Sequence, residues 1–221
     1  MKIAIIPARG GSKRLPRKNI LPINDTPIIN YPIKSAIKSG LFDKIIVSTD
    51  DSQIISIVSD LGVDIVKRPS SISDDVSSVS DVCLHVLEMD VYRCCEYFCC
   101  IYPTALFVKE NHLIESYSLL NKTAGIDYVM GVSSYNFPPV QALYEKNGFL
   151  SYMWPEFIGK KSQEHPKLNV SNGSIYWART EKFCIDKTFY GEKLLGYEFF
   201  TVDIDTSHDF KIAECLFNNL N

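Results

Sequence analysis

An α/β fold, a three-layer sandwich around a mostly parallel sheet, is what this 221-residue sequence predicts, and three observations predict it. Short apolar runs at residues 3–6, 44–48, 63–66 and 97–101 alternate with amphipathic stretches of helical length. That order places helices on both faces of a parallel sheet through right-handed crossovers. The first run also leads directly into a cationic, glycine-bearing loop, and ligands in such folds gather where strands end. Lastly, 46% hydrophobic and 22% charged residues are the proportions of an ordinary globular chain. The length suits one domain spanning residues 1–221, with ample material for a core.

Residues 7–22 read PARGGSKRLPRKNILP. They hold five cations, Arg9, Lys13, Arg14, Arg17 and Lys18, and no acid occurs before Asp25. Gly10 and Gly11 lack a Cβ, so backbone N–H groups there can approach a bulky anion. Oriented amides with cations beside them make a phosphate nest; a solvated basic loop is the plainer alternative. Neither the Walker pattern nor G-x-G-x-x-G is present. Residues 1–24 contain six of the 23 basic residues and no acid, which leaves 17 basic against 26 acidic residues elsewhere. Positive charge focused at one point suits a compact anion such as a nucleoside triphosphate, whereas a nucleic-acid polymer calls for a broad basic face.

Asp25-Thr26-Pro27 predicts a helix start, with Thr26 as N-cap and Pro27 in the first turn. Ile29, Ile33, Ala36 and Ile37 form its apolar stripe and Gly40 its end. Thr49-Asp50-Asp51 follows the strand at 44–48 and caps a helix over 52–61, ahead of a strand at 63–66. Residues 70–81, SSISDDVSSVSD, have the composition of a flexible linker. A helix over 79–92, a strand over 97–101, a helix over 110–120 and a strand over 128–133 continue the alternation. Residues 136–172 interrupt it as an excursion from the sheet, with a hairpin turn at Asn147-Gly148 and many large apolar groups. A last strand over 197–204 then places Asp203 and Asp205 on one face, roughly 7 Å apart. Such a pair can hold one hard cation together with the phosphates it carries. Alternatively one of them serves the final helix, where Thr206 and Asp209 already offer a capping box. His208 beside them reads as an exposed helix-start residue.

No signal-peptide pattern precedes the first strand, and no apolar run nears the roughly 20 residues of a membrane span. Seven cysteines without a second paired spacing beyond Cys95 and Cys99 read as reduced thiols of a cytoplasmic protein.

Pro7, Ala8, Arg9, Ser12, Lys13, Pro16, Lys18 and Asn19 together resemble the opening of the CMP-nonulosonate synthetases, the acylneuraminate cytidylyltransferases. Similarity extends over nearly the whole chain, to the final helix. It implies transfer of CMP from CTP to the anomeric hydroxyl of a nine-carbon 2-keto sugar acid, with release of pyrophosphate. By the same resemblance Arg9 and Lys13 hold the triphosphate, while Asp203 and Asp205 hold Mg²⁺ or Mn²⁺. Ala8, Gly10, Gly11, Ser12, Lys18, Asn19, Arg68, Ser77 and Ser78 complete the nucleotide site, which turns the serine-rich stretch from a linker into a pocket wall. Tyr102, Thr104, Gln141, Lys161, Gln163 and Asn172 are the implied acceptor contacts, and the 136–172 excursion is the arm of a homodimer. Tyr102-Pro103-Thr104-Ala105, Lys161-Ser162-Gln163 and Trp177 look like the pseudaminic acid branch, whereas Asn172-Gly173-Ser174-Ile175-Tyr176 is similar to the sialic acid enzymes. Two alternatives stand beside this reading. A sister enzyme for an eight-carbon acid typically has proline where Asn19 follows Lys18, and one for a hexose phosphate has a glycine-richer loop. A non-catalytic nucleotide-binding relative would be expected to have lost the Asp203–Asp205 pair.

Overall fold

The computed structural model describes residues 1–74 and 76–220. In chain order the elements are β1 (Lys2–Pro7), β2 (Pro22–Ile23), β3 (Thr26–Pro27), α1 (Asn30–Ser39), β4 (Lys44–Thr49), α2 (Ser52–Val58), β5 (Asp64–Lys67) and α3 (Val79–Leu87). There follow β6 (Tyr97–Ile101), α4 (Glu110–Lys122), β7 (Tyr128–Ser134), β8 (Leu143–Lys146), β9 (Phe149–Tyr152), β10 (Asn169–Arg179), α5 (Thr180–Asp186), β11 (Leu194–Glu198) and α6 (Ser207–Leu220). Seven strands form one sheet in the order β11-β7-β10-β6-β1-β4-β5. Every pairing in it is parallel except those of β10, which runs antiparallel to β6 and β7.

Burial on both faces is why the central strands are apolar at every position rather than at alternate ones. Along β1, Ala4 and Ile6 enter a core shared with Ile33 of α1, Ile54 of α2 and Leu113 of α4. Ile3 and Ile5 point the opposite way, against Cys83 and Val86 of α3 and Phe183 of α5. The result is the expected three-layer sandwich. A smaller cluster of Ile23, Ile28, Leu106, Phe107, Ile204 and Ala213 seats α6 over the end of the sheet beside the glycine loop.

Three local expectations change. Thr26 does not cap a helix: it pairs with Ile23 in a two-residue hairpin whose turn, Asn24-Asp25, has φ of 48° and 58°. Asn and Asp tolerate this left-handed conformation, and two such residues match the twist of a tight hairpin. Helix α1 begins only at Asn30, and Pro32 is accommodated because first-turn N–H groups have no helical partner anyway. The helix expected over 79–92 ends at Leu87. The last strand stops at Glu198, so Asp203 and Asp205 lie on an irregular crossing segment instead of one strand face. As an edge strand β11 has one neighbour; after its final rung to Val132 and a last bond from Phe199 the chain leaves the sheet. The excursion does contain the expected hairpin, β8–β9, turned at Asn147 and Gly148 with φ of 54° and 80°. All seven cysteines are free, and among the described residues no group of three or more metal-binding side chains exists. No described helix is long and apolar enough to cross a membrane.

Candidate active site

The glycine loop is held from both ends of the open side of the sheet. Ala8 continues β1, fully buried, with its N–H donating to the Ser48 carbonyl at 2.9 Å. Its side chain and N–H are therefore committed to the scaffold rather than to a nucleotide. Arg17 turns left-handed (φ 58°) and places its guanidinium on both oxygens of Asp51, at 2.5 and 2.9 Å, and on Gln53 at 2.6 Å. Asp51 also caps α2 by accepting from the N–H groups of Gln53 and Ile54. The Arg17 guanidinium, with those N–H bonds, lowers the Asp51 pKa to about 2. Gly10 N–H donates to Asp50 at 3.0 Å, and a Cβ on Gly10 would stand 2.3 Å from the Asp51 carboxylate. The glycine thus makes room for an acidic pair, not for an anion. At Gly11 a Cβ would meet nothing, so the two glycines are not equivalent. This acidic clamp was hidden in a Thr-Asp-Asp run that reads simply as a helix cap.

Asn19, 5% exposed, fixes the other limb: its Nδ2 donates to the Arg9 carbonyl at 2.9 Å, and its own carbonyl accepts from Ile29. Lys18 reaches the crossing segment, donating to Ile204 O and Asp205 Oδ1, both at 2.9 Å, while Arg14 meets Asp205 Oδ2 at 2.8 Å. The structure therefore brings the loop and the two carboxylates together, although not by way of a strand. Asp203 lies against the bulge of β10, where a Cβ on Gly173 (φ 65°) would stand 2.8 Å from the Asp203 carboxyl carbon. Partial desolvation and the neighbouring Asp205 charge raise the Asp203 pKa. Two carboxylates in mutual repulsion beside a cationic rim fit a hard dication that takes its remaining ligands from phosphate and water.

Between the loop and the serine-rich segment opens a cavity of about 210 Å³, lined by Arg9, Ser12, Lys18, Asn19, Arg68, Ser77, Ser78, Tyr102 and Thr104 among others. A second, of about 280 Å³, shares Arg9, Ser12 and Lys18 with it and adds Lys13, Arg14 and Asp205. The two make one cleft, polar at one end and strongly cationic at the other. Its serine-rich wall is folded: Asp74 Oδ1 accepts from the N–H groups of Val76 and Ser77 and from the Ser77 hydroxyl. Ser78 forms a capping box with Asp81 at the start of α3, and Arg9 donates to the Asp74 carbonyl at 2.9 Å. Asp75, within the same stretch, lies outside the described residues. Arg68, 6% exposed, donates to Ser48 O at 2.9 Å, and its Nε has no partner among the described residues. Burial lowers its pKa, yet a guanidinium stays charged.

Tyr102, which lines the first cavity, packs its ring at a tilt against that of the buried Tyr176, with centroids 5.2 Å apart. Burial raises both phenols, Tyr176 to about 12, and the Tyr176 hydroxyl bonds Ser171 at 2.7 Å. Asn172, 5% exposed and bordering neither cavity, accepts from Ser174 while its Nδ2 has no partner among the described residues. Tyr176 itself borders neither cavity: it is 6% exposed and packs into the core with Phe183 and Phe189. Trp177 faces the opposite way: it is fully buried, bonded to Ser116 and stacked on Phe42. Its identity therefore records packing and says nothing of an acceptor. Gln141, Lys161 and Gln163 stand on the exposed arm and line neither part of the cleft of this chain.

Comparison with known proteins agrees with this geometry. The family described as cytidylyltransferase matches residues 3–198. The pseudaminic acid cytidylyltransferase of Campylobacter jejuni is 30% identical, over 97% of this chain and 95% of that protein. The N-acylneuraminate cytidylyltransferase of Escherichia coli is 32% identical, over 96% of this chain but 51% of its own length. The CMP-N,N'-diacetyllegionaminic acid synthase of Legionella pneumophila is 29% identical over 97% and 95%. Among solved structures, CMP:2-keto-3-deoxy-manno-octonic acid synthetase complexed with CTP superposes with a TM-score of 0.72 at 16% identity, covering 100% and 99% of the two chains. That likeness is one of fold.

Proposed function

The chain belongs to the cytidylyltransferase family, and from that premise we propose that it transfers CMP from CTP to the anomeric hydroxyl of a nine-carbon 2-keto sugar acid, releasing pyrophosphate. The observation that carries this reading is the continuity of the cleft. A polar cavity bounded by Arg68, Ser77, Ser78, Tyr102 and Thr104 adjoins, across the shared Arg9, Ser12 and Lys18, a cationic one bounded by Lys13, Arg14 and Asp205. A cytidine and its triphosphate need those two environments in that order.

In this scheme Arg9 and Lys13 bind the β- and γ-phosphates and meet the charge that grows on departing pyrophosphate. Asn19 acts through Arg9, whose carbonyl it anchors. Arg68 sits where a guanidinium can reach a base carbonyl or phosphate without paying for rotamer freedom, its other nitrogen being tied to Ser48. Asp203 and Asp205 would hold Mg²⁺ or Mn²⁺, which supplies charge neutralisation at the α-phosphate. Tyr102 and Thr104, which line the cleft, would contact the acceptor together with Asn172, and the pseudaminic form of Tyr102 favours a diamino nonulosonate over sialic acid.

We further propose that the working unit is a cytoplasmic homodimer of single-domain subunits. The arm exposes Phe137, Phe149, Leu150 and Ile158 by 87, 77, 68 and 54%. Apolar groups in such numbers on one projection suit a self-interface. Lys161 and Gln163 would then reach the acceptor of the opposite subunit. Pyrophosphate release with CTP, across a panel of nonulosonic and eight-carbon acids, tests the activity. Turnover with CTP and a nonulosonate, and little with UTP, ATP or GTP, is expected. Turnover only with an eight-carbon acid would move the chain to the sister activity, and none with any acceptor would refute it.

A further inference from the structure

We propose that Arg14 keeps the place of the divalent cation on Asp205 in the ligand-free protein and passes to the phosphates of the nucleotide when metal and nucleotide arrive. This rests on the reading of Asp203 and Asp205 as metal ligands. Both oxygens of Asp205 face a cation, Oδ1 toward Lys18 at 2.9 Å and Oδ2 toward Arg14 at 2.8 Å. A metal arriving at either oxygen competes with the cation already there. Lys18 is 20% exposed and held by a second acceptor, the Ile204 carbonyl. Arg14 is 69% exposed and, among the described residues, Asp205 is its one ion-pair partner. Arg14 is therefore the group that yields.

Its destination is as clear as its departure. Arg14 borders the 280 Å³ cationic end of the cleft together with Arg9, Ser12, Lys13 and Lys18, where the triphosphate of the proposed substrate settles. A guanidinium released there finds phosphate oxygens in fork geometry. Without it, the crossing segment would be tied to the loop through Lys18 alone, by its bonds to Ile204 O and Asp205. The handover keeps that segment in place until the metal can do so. Arg14 is thus a positioning residue, acting through Asp205.

Two titrations test the idea on the full chain at fixed ionic strength: Mn²⁺ binding by electron paramagnetic resonance without nucleotide, and CTP binding by calorimetry in EDTA. Arg14→Ala and Arg14→Gln should bind Mn²⁺ about two- to five-fold more tightly than the wild type, the scale of an exposed ion pair. If the wild type binds too weakly to measure, measurable binding in either variant is the expected sign. CTP without metal should bind both variants more weakly; tighter Mn²⁺ binding together with weaker CTP binding is a combination that partial unfolding cannot produce. Unchanged Mn²⁺ affinity in both variants, with binding lost in Asp205→Asn, overturns the role of Arg14 alone. Unchanged CTP affinity overturns the handover. Mn²⁺ binding that survives in Asp205→Asn overturns the metal reading beneath it.

Discussion

Asp51 joins the acidic clamp to the helix it caps, and replacing it by Asn and by Ala separates the two functions. Asn is as good an N-cap as Asp, so Asp51→Asn removes only the charge that faces Arg17, whereas Asp51→Ala removes both. The native pKa of about 2 against an ordinary 3.8 corresponds to about 2.4 kcal/mol at about 1.36 kcal/mol per pH unit. Arg17 is 37% exposed and Asp51 17%, so solvent screening reduces this to about 1 kcal/mol. Loss of the cap in Asp51→Ala adds about 1 kcal/mol more. For a chain of this length, melting temperatures should fall by about 2–4 °C in Asp51→Asn and about 4–8 °C in Asp51→Ala. The sign with pH follows from linkage. Between pH 2 and 4 the unfolded chain binds the proton that the folded carboxylate refuses, so the ion pair's contribution is complete above that window and lost as pH falls through it. Thermal unfolding of the three proteins from pH 7 down to pH 2.5 is the assay. An Asp51→Asn melting point equal to that of the wild type at pH 7, or a deficit that stays constant on acidification, would refute the clamp.

Other expectations follow from the same geometry. Asp203→Asn and Asp205→Asn should each lower turnover by about 100-fold or more, with Asp203→Asn folding at least as stably because it removes a partly desolvated charge; near-normal turnover of either at limiting Mg²⁺ refutes the metal assignment. Gly10→Ala should cost about 1–3 kcal/mol by overpacking against Asp51, while Gly11→Ala, meeting open space, should be neutral or stabilising by up to about 1 kcal/mol; equal thermal shifts for the two would contradict the difference drawn between them. Mixing Lys161→Ala with Asp203→Asn protein should restore one working site per heterodimer if Lys161 serves the opposite subunit, and absence of recovery after verified exchange would remove it from the acceptor site.

Much of this protein is written locally in its sequence. Apolar runs at residues 3–6 and 97–101 announce doubly buried strands because burial on both faces leaves no position for a polar side chain. Gly40, Asn147-Gly148 and Thr206–Asp209 announce their turn or cap because left-handed φ and orphan helix N–H groups accept few residue types. The resemblance of residues 7–19 identifies the family from the loop alone. What tertiary structure decided depends on partners distant in sequence. Asp50 and Asp51 grip a loop more than 30 residues earlier, and whether Gly10 serves an anion or an acid is set by that neighbour, not by glycine itself. Asp203 and Asp205 meet the loop because β11 runs out of sheet partners, and only the crossing segment that results carries them there. Trp177 and Tyr176 adjoin in sequence, yet they enter the two cores on opposite sides of the sheet, since alternation along β10 sends successive side chains to opposite faces.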